Sequence, residues 1–195
     1  MITFKVLNKK NIERMVKVLD LIYYTLFSFV IYSFLGWIIE EVYCFYKKHK
    51  FKEDGFLIGP FKPMYGIAVS ILVIFKNYFH NNSIIILILC LLIPSIVEYI
   101  SGDILQSIFN KKYWDYSNLK YNLNGLISIR FSIYWAFLTF FGLKYFEPFI
   151  NNIYNSYNNI FYVIIPILII YLLIDFYITV NTLLKISITK KHNNI

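Results

Sequence analysis

Long apolar runs separated by short polar stretches make up most of the chain. Leu21 to Ile39 is 19 residues without a charge, which at about 1.5 Å per residue crosses roughly the hydrocarbon thickness of a bilayer as one helix. The pattern predicts a first span from about Leu21 to Tyr46, a second from Pro63 to Phe79 and a third from Ser83 to Phe109. A fourth follows from Leu126 to Phe146 and a fifth from Ile160 to Leu184. The runs are continuous rather than alternating, which excludes a β-barrel. Upstream, Ile12, Met15, Val16 and Leu19 recur at i, i+3, i+4 and i+7, while Lys9, Lys10, Arg14 and Lys17 take other faces. Residues 1–20 therefore read as a basic amphipathic helix in the membrane interface. The expected architecture is all-α: a polytopic bundle of about five transmembrane helices over residues 21–184, closed by a short basic tail at 185–195. Lys76 interrupts the second span near one end, where its stem can snorkel to the headgroups. Pro94 is expected to kink the third helix just before Glu98. Asn151 to Asn159 reads as a polar connector.

Composition agrees with a membrane protein: 195 residues, 58% hydrophobic, 21% aromatic and only 15% charged, with a mean hydropathy of +0.58. The net charge of +8 then acts in orientation and in attraction to anionic lipid rather than in nucleic-acid binding. Cys44 and Cys90 have no CxxC spacing, so neither a disulfide framework nor a metal knuckle is indicated. No small-residue cleavage site precedes the first span, so no secretory signal peptide is read.

Two loops carry the most specific patterns. GFLIGPFKPMYG contains Gly55, Gly59, Pro60, Pro63, Tyr65 and Gly66; WDYSNLKYNLNG contains Trp114, Asp115, Asn122, Asn124 and Gly125. Two spans separate them, so both emerge on one side of the membrane. That side, with the C-terminus, holds twelve lysines and arginines, including Lys47, Lys52, Lys62, Lys120 and Arg130, against seven on the other, including Lys5, Lys76 and Lys144. Counting all short loops puts the motif face in the cytoplasm, whereas letting the first helix dominate puts it outside; the loop count is the reading adopted.

Charge inside the spans locates a candidate site. Glu40 and Glu41 fall near the motif-side end of the first helix, Glu98 and Asp103 in the third, Arg130 at the start of the fourth and Asp175 in the fifth. Glu98 lies roughly 16 Å from the end of its helix at Phe109, a depth at which a lone charge costs several kcal/mol unless it is paired, protonated or wet. Five acids against one arginine leave a negative surplus that suits a proton, a cation or a cationic group. Ser33, Gly36, Trp37 and Glu40 share one helical face, as do Ser95, Glu98 and Gly102; Asp103 points away from Glu98. In the loops, glycines permit close backbone approach and prolines stiffen the turn, giving either a rigid cap or a gate. Asp115, Asn122 and Asn124 suit turns and helix caps.

The ordered set YSFLGWIIEEVY (Tyr32 to Tyr43), GFLIGPFKPMYG, VEYISG (Val97 to Gly102), WDYS and NLNG resembles the bacterial family named Putative ABC-transporter type IV, or CmpB-like, over roughly residues 25–145. The resemblance implies a small multi-pass permease-like protein of the bacterial plasma membrane, with an ATPase subunit as partner. The chain departs from the family pattern at Asp54 and Leu126, where basic residues are expected; Arg130, one turn on, can substitute for the second. If the motif face is cytoplasmic, Lys47 to Lys52 with Glu53 and Asp54 form a docking surface.

Enzyme signatures are absent. Glu40 and Glu41 are similar to the paired glutamates of CAAX-type intramembrane proteases, but the arginine expected shortly afterwards is missing. His49, His80 and His192 all lie outside the spans. There is no Walker A, GxSxG or HExxH pattern. The expectation is a non-enzymatic, transport-associated component with a one-sided polar cavity and no cofactor or metal, in the lipid bilayer, alone, as a self-oligomer or with an ATPase. The alternatives are a non-transporting scaffold or accessory protein, a lipid-headgroup-binding protein and, as a minor option, a lipid-modifying membrane enzyme that uses acids alone.

Overall fold

The structure, a computed structural model, describes residues 9–51, 55–79 and 82–193. Lys5, Lys52, Glu53, Asp54 and His80, named above, lie outside the described residues. The chain is all-α apart from one small hairpin: α1 (Lys9–Lys48), α2 (Pro63–Tyr78), α3 (Ser83–Phe109), the antiparallel strands β1 (Asn122–Leu123) and β2 (Ile127–Ser128), α4 (Ile129–Phe141), a π-helical turn (Gly142–Phe146), α5 (Glu147–Ser156) and α6 (Asn158–Asn193). Three stretches, Asn11–Lys48, Ser83–Phe109 and Asn158–Thr189, are long and apolar enough to cross a membrane; α2 is apolar but has 16 residues.

Polarity runs inside out relative to a soluble bundle. Leu87, Ile88, Leu91, Leu92 and Ile96 stand exposed on α3, while Ser28, Ser33, Glu98, Asp175 and Thr179 are buried. Hydrocarbon is the solvent that makes this arrangement favourable, because intramembrane polar groups do best facing one another.

The basic amphipathic segment, in its described part, runs without a break into the first span as one helix of 40 residues; no proline lies between Lys9 and Lys48 to stop it. The fourth helical stretch also outruns expectation. Asn151 to Ser156, read above as connector, is helical, and the chain breaks only at Tyr157. Asparagine disfavours a helix only mildly, and Ile150 and Tyr154, four residues apart on one face, are buried in the core.

A proline shapes the π-turn. The Glu147 amide donates to Gly142 O, one residue further back than in an α-helix. Leu143 O thereby loses its usual donor, and the next candidate, Pro148, has no N–H. Lys76 Nζ fills the vacancy at 2.8 Å.

Helix α1 packs on α2, α2 on α3 and α3 on α4, and α6 touches α1 and α3. The α1–α2 crossing is close because Gly66 has no Cβ: one placed there would collide with Ser33 Oγ and Phe29 O. Phe27, Leu72, Val73, Cys90, Ile165 and Tyr154 are essentially sealed from solvent and centre the core.

Candidate functional site

A polar cluster assembles where the motif-side ends of α1, α2, α3 and α4 meet. Glu40 on α1 accepts a hydrogen bond from Tyr65 Oη at 3.1 Å and pairs with Lys62 Nζ at 3.0 Å. Pro63 opens α2 and needs no N–H partner there. Lys62 precedes it, with its amide fixed to Ser33 O at 2.9 Å; its side chain is 8% exposed. Tyr65 lies edge-on to Trp135 of α4 with ring centroids 5.2 Å apart. Glu98 of α3 is 3% exposed. Its Oε1 accepts from Tyr116 Oη at 2.9 Å, and Tyr116 stacks on Phe131 at 4.6 Å. Glu98 Oε2 is buried with no hydrogen-bond partner among the described residues.

Both motif loops are tied down by specific bonds. Asp175 of α6 accepts from the amides of Ile58 at 3.1 Å and Gly59 at 2.8 Å, and from Thr179 Oγ1 at 3.3 Å. The fit needs glycine at 59, since a Cβ would stand 2.5 Å from Tyr171 Oη. In the second loop Trp114 Nε1 donates to Leu126 O at 2.8 Å, and Asn122 Oδ1 accepts from the Gly125 amide at 3.0 Å. Asn124 and Gly125 both have positive φ, the combination that tightens a hairpin turn. Asp115 accepts from the Ser117 amide at 2.9 Å, a bond that holds this loop carboxyl below the usual aspartate range. Leu126 is buried and closes on Gly102 together with Trp114.

The structure brings Glu40, Tyr65, Glu98 and the WDYS tyrosine together; Asp103 and Arg130 are exposed and stand outside this cluster. Arg130 Nε donates to Tyr134 Oη at 3.1 Å, a residue of its own helix. Glu41 is buried at 9%, and Trp37 stacks on Phe34 with centroids 5.9 Å apart. Asp175 works on the loop backbone. The acidic surplus inferred from sequence therefore shrinks, because Lys62, counted above only as a loop lysine, answers Glu40. Its place in GPFKP, flanked by prolines that draw the loop inward, was the available signal.

A second polar cluster lies at the opposite end of the bundle, outside the sequence reading. Glu147 accepts from Tyr24 Oη at 2.7 Å and pairs with Lys76 at 2.6 Å. Asp20 accepts from Tyr154 Oη at 3.3 Å and Tyr162 Oη at 3.2 Å. Lys17, Asp20, Tyr24, Lys76, Glu147 and Asn151 are among the residues lining a pocket of about 410 Å³ there. The acid preceding Pro148, opposite an interrupting lysine, was the sequence signal. Among the described residues no three His, Cys, Asp or Glu side chains converge as metal ligands.

The family described as Putative ABC-transporter type IV matches residues 27–180. The chain belongs to this family. The match to Putative ABC-transporter type IV runs past the last motif loop and takes in most of α6, including Asp175. Comparison with curated proteins and with solved structures finds no match. Family membership and three long apolar helices fit a transport-associated membrane protein.

Proposed function

We propose that the chain is a permease-like, non-enzymatic component of a transport system in a bacterial plasma membrane. It crosses five times, with the α4–α5 stretch as the fourth span, and carries its motif loops on the cytoplasmic face. An ATPase subunit is the partner that the family description suggests. The observation that carries this reading is Glu98: a carboxylate 3% exposed, with one oxygen that has no hydrogen-bond partner among the described residues. Leaving such a group buried costs several kcal/mol, so it marks a polar path beneath the glycine-proline loop. A scaffold role is the second reading, favoured by the Glu40–Lys62 pair and by Asp175 on the loop amides, which serve packing directly.

Two measurements separate them. Tagged protein is purified from its native membrane in mild detergent, and co-purifying proteins are quantified by mass spectrometry. A stoichiometric nucleotide-binding ATPase is expected; recovery of the chain alone or as a self-oligomer removes the basis for a subunit role. Glu98→Gln is expected to leave membrane insertion and melting temperature unchanged while abolishing transport by the purified assembly. Transport that survives the substitution sinks the role given to Glu98, and a loss matched by lowered stability favours the scaffold.

A further inference from the structure

The cluster opposite the motif loops borders the pocket of about 410 Å³, near the lower end of the range of roughly 300–1,000 Å³ that small-molecule sites occupy. Buried tyrosines fix its floor. Tyr24 donates its hydroxyl to Glu147 Oε1, and Tyr154 donates to Asp20 Oδ1, which Tyr162 Oη also reaches. Lys76 is spent on Glu147 Oε2 and Leu143 O. One ion pair is thus closed on itself, and the rest of the polar lining stays open.

Lys17 belongs to that lining and forms no ion pair or hydrogen bond with another described residue. Asp20 follows it at i+3 on the same face of α1. Both tyrosine bonds fall on Asp20 Oδ1, so Oδ2 is left to accept. Asn77 of α2 and Asn151 and Asn155 of α5 complete the lining, and their side-chain amides likewise bond no described residue. Each amide offers both donors and an acceptor. With Lys76 and Glu147 cancelling, the unspent groups are one cation, one anion and three neutral amides. That balance suits neither a simple anion nor a simple cation; it suits a ligand that carries both charges a short distance apart.

The level of the pocket in the bundle points to lipid as the source. Leu21, also in the lining, opens the uncharged run of the first span. Lys76 and Asn77 fall in the last turn of α2, and the exposed Tyr78 and Tyr157 follow Asn77 and Asn155 in the chain, as tyrosines do where a protein leaves the hydrocarbon. We infer that the pocket holds the headgroup of a zwitterionic phospholipid with a primary amine, of the phosphatidylethanolamine type. Lys17 meets the phosphate. Asp20 Oδ2 and the asparagine oxygens take the ammonium N–H groups, which a trimethylammonium lacks. The site is separate from Glu98 and requires neither the transport reading nor a particular orientation of the chain. It puts the bound lipid in the leaflet opposite the motif loops.

The test is native mass spectrometry of the purified full chain, titrated in detergent with dioleoyl phosphatidylethanolamine, phosphatidylcholine and phosphatidylglycerol. One phosphatidylethanolamine per chain is expected to bind severalfold more tightly than either other lipid, a comparison made on the wild-type protein and so independent of how any variant folds. Lys17→Met and Asp20→Asn should each lower its binding to the level of phosphatidylcholine. Lys120→Met, which removes the same charge at the motif face, should leave it unchanged. Equal binding of the three lipids, or a preference for phosphatidylglycerol, overturns the inference, and so does a phosphatidylethanolamine preference that survives both pocket variants. Glycerophosphoethanolamine, the same headgroup without acyl chains, is then added in competition. It should displace the lipid only in large excess; displacement at equal concentration overturns the lipid source and assigns the pocket to a free zwitterion. Failure here leaves the ATPase co-purification and the Glu98→Gln measurement intact as tests of the permease reading.

Discussion

A lysine ammonium held at 8% exposure beside Glu40 is tolerable only because the two charges face each other. Removing one partner takes this counter-charge from the other, whereas removing both charges does not. Lys62→Met is therefore expected to destabilise the protein by about 3 kcal/mol, and Lys62→Met combined with Glu40→Gln to recover most of that loss. Thermal unfolding in detergent measures both; a double variant no better than the single would mean that Lys62 contributes packing rather than charge. Both glutamates accept from a tyrosine hydroxyl, but Glu98 differs from Glu40 in having no cation at hydrogen-bond distance among the described residues. That contrast between two glutamates, on α1 and α3, is what singles out Glu98 in the reading proposed above.

At the scale of elements, the π-turn between α4 and α5 sets where the second polar cluster sits. Pro148 cannot donate to Leu143 O, so the carbonyl recruits Lys76, and Lys76 in turn meets Glu147. Pro148→Ala restores an N–H that can serve the carbonyl. In that background Lys76→Met is expected to cost about 1 kcal/mol less than in the wild type, read as the coupling energy of a double-mutant cycle on unfolding in detergent. Strict additivity would show that Pro148 and Lys76 act independently. The motif loops follow a similar rule: the α6 carboxylate of Asp175 holds the Ile58 and Gly59 amides, and side chains and carbonyls of the second loop close its own turn.

For the whole molecule, the order of helices puts the Asn122–Ser128 hairpin and the Tyr157 turn at opposite ends. Tyr121 is 79% exposed and Tyr157 is 56% exposed. In a Cys44→Ser, Cys90→Ala background, Tyr121→Cys and Tyr157→Cys are expected to react with an impermeant maleimide from opposite sides of the membrane. In intact cells Tyr157→Cys should label and Tyr121→Cys should label only after permeabilisation, if the motif face is cytoplasmic. The reverse pattern inverts the orientation, and labelling of both from one side breaks the five-span topology.

Apolar runs and their breaks were enough, from the amino-acid order alone, to determine the helical class and the approximate helix positions, and the ordered loop and helix motifs pointed to the family. Each of these depends on local composition or on residues close together in the chain. Helix ends near Asn151 and Tyr157 were less legible, because the burial of Ile150 and Tyr154 overrides the weak preference of asparagine. Glu98 was legible because an acid deep in an apolar helix is costly wherever that helix packs. Its neighbours were not: Lys62, Tyr65 and Tyr116 reach the glutamates only through the crossing of α1, α2, α3 and the second loop. Lys76 read only as a snorkelling lysine, and Glu147, 71 residues away, was not singled out at all. Tertiary structure alone decided which charges meet, because hydrogen bonds and ion pairs act over a few ångströms in space and sequence separation says little about that distance.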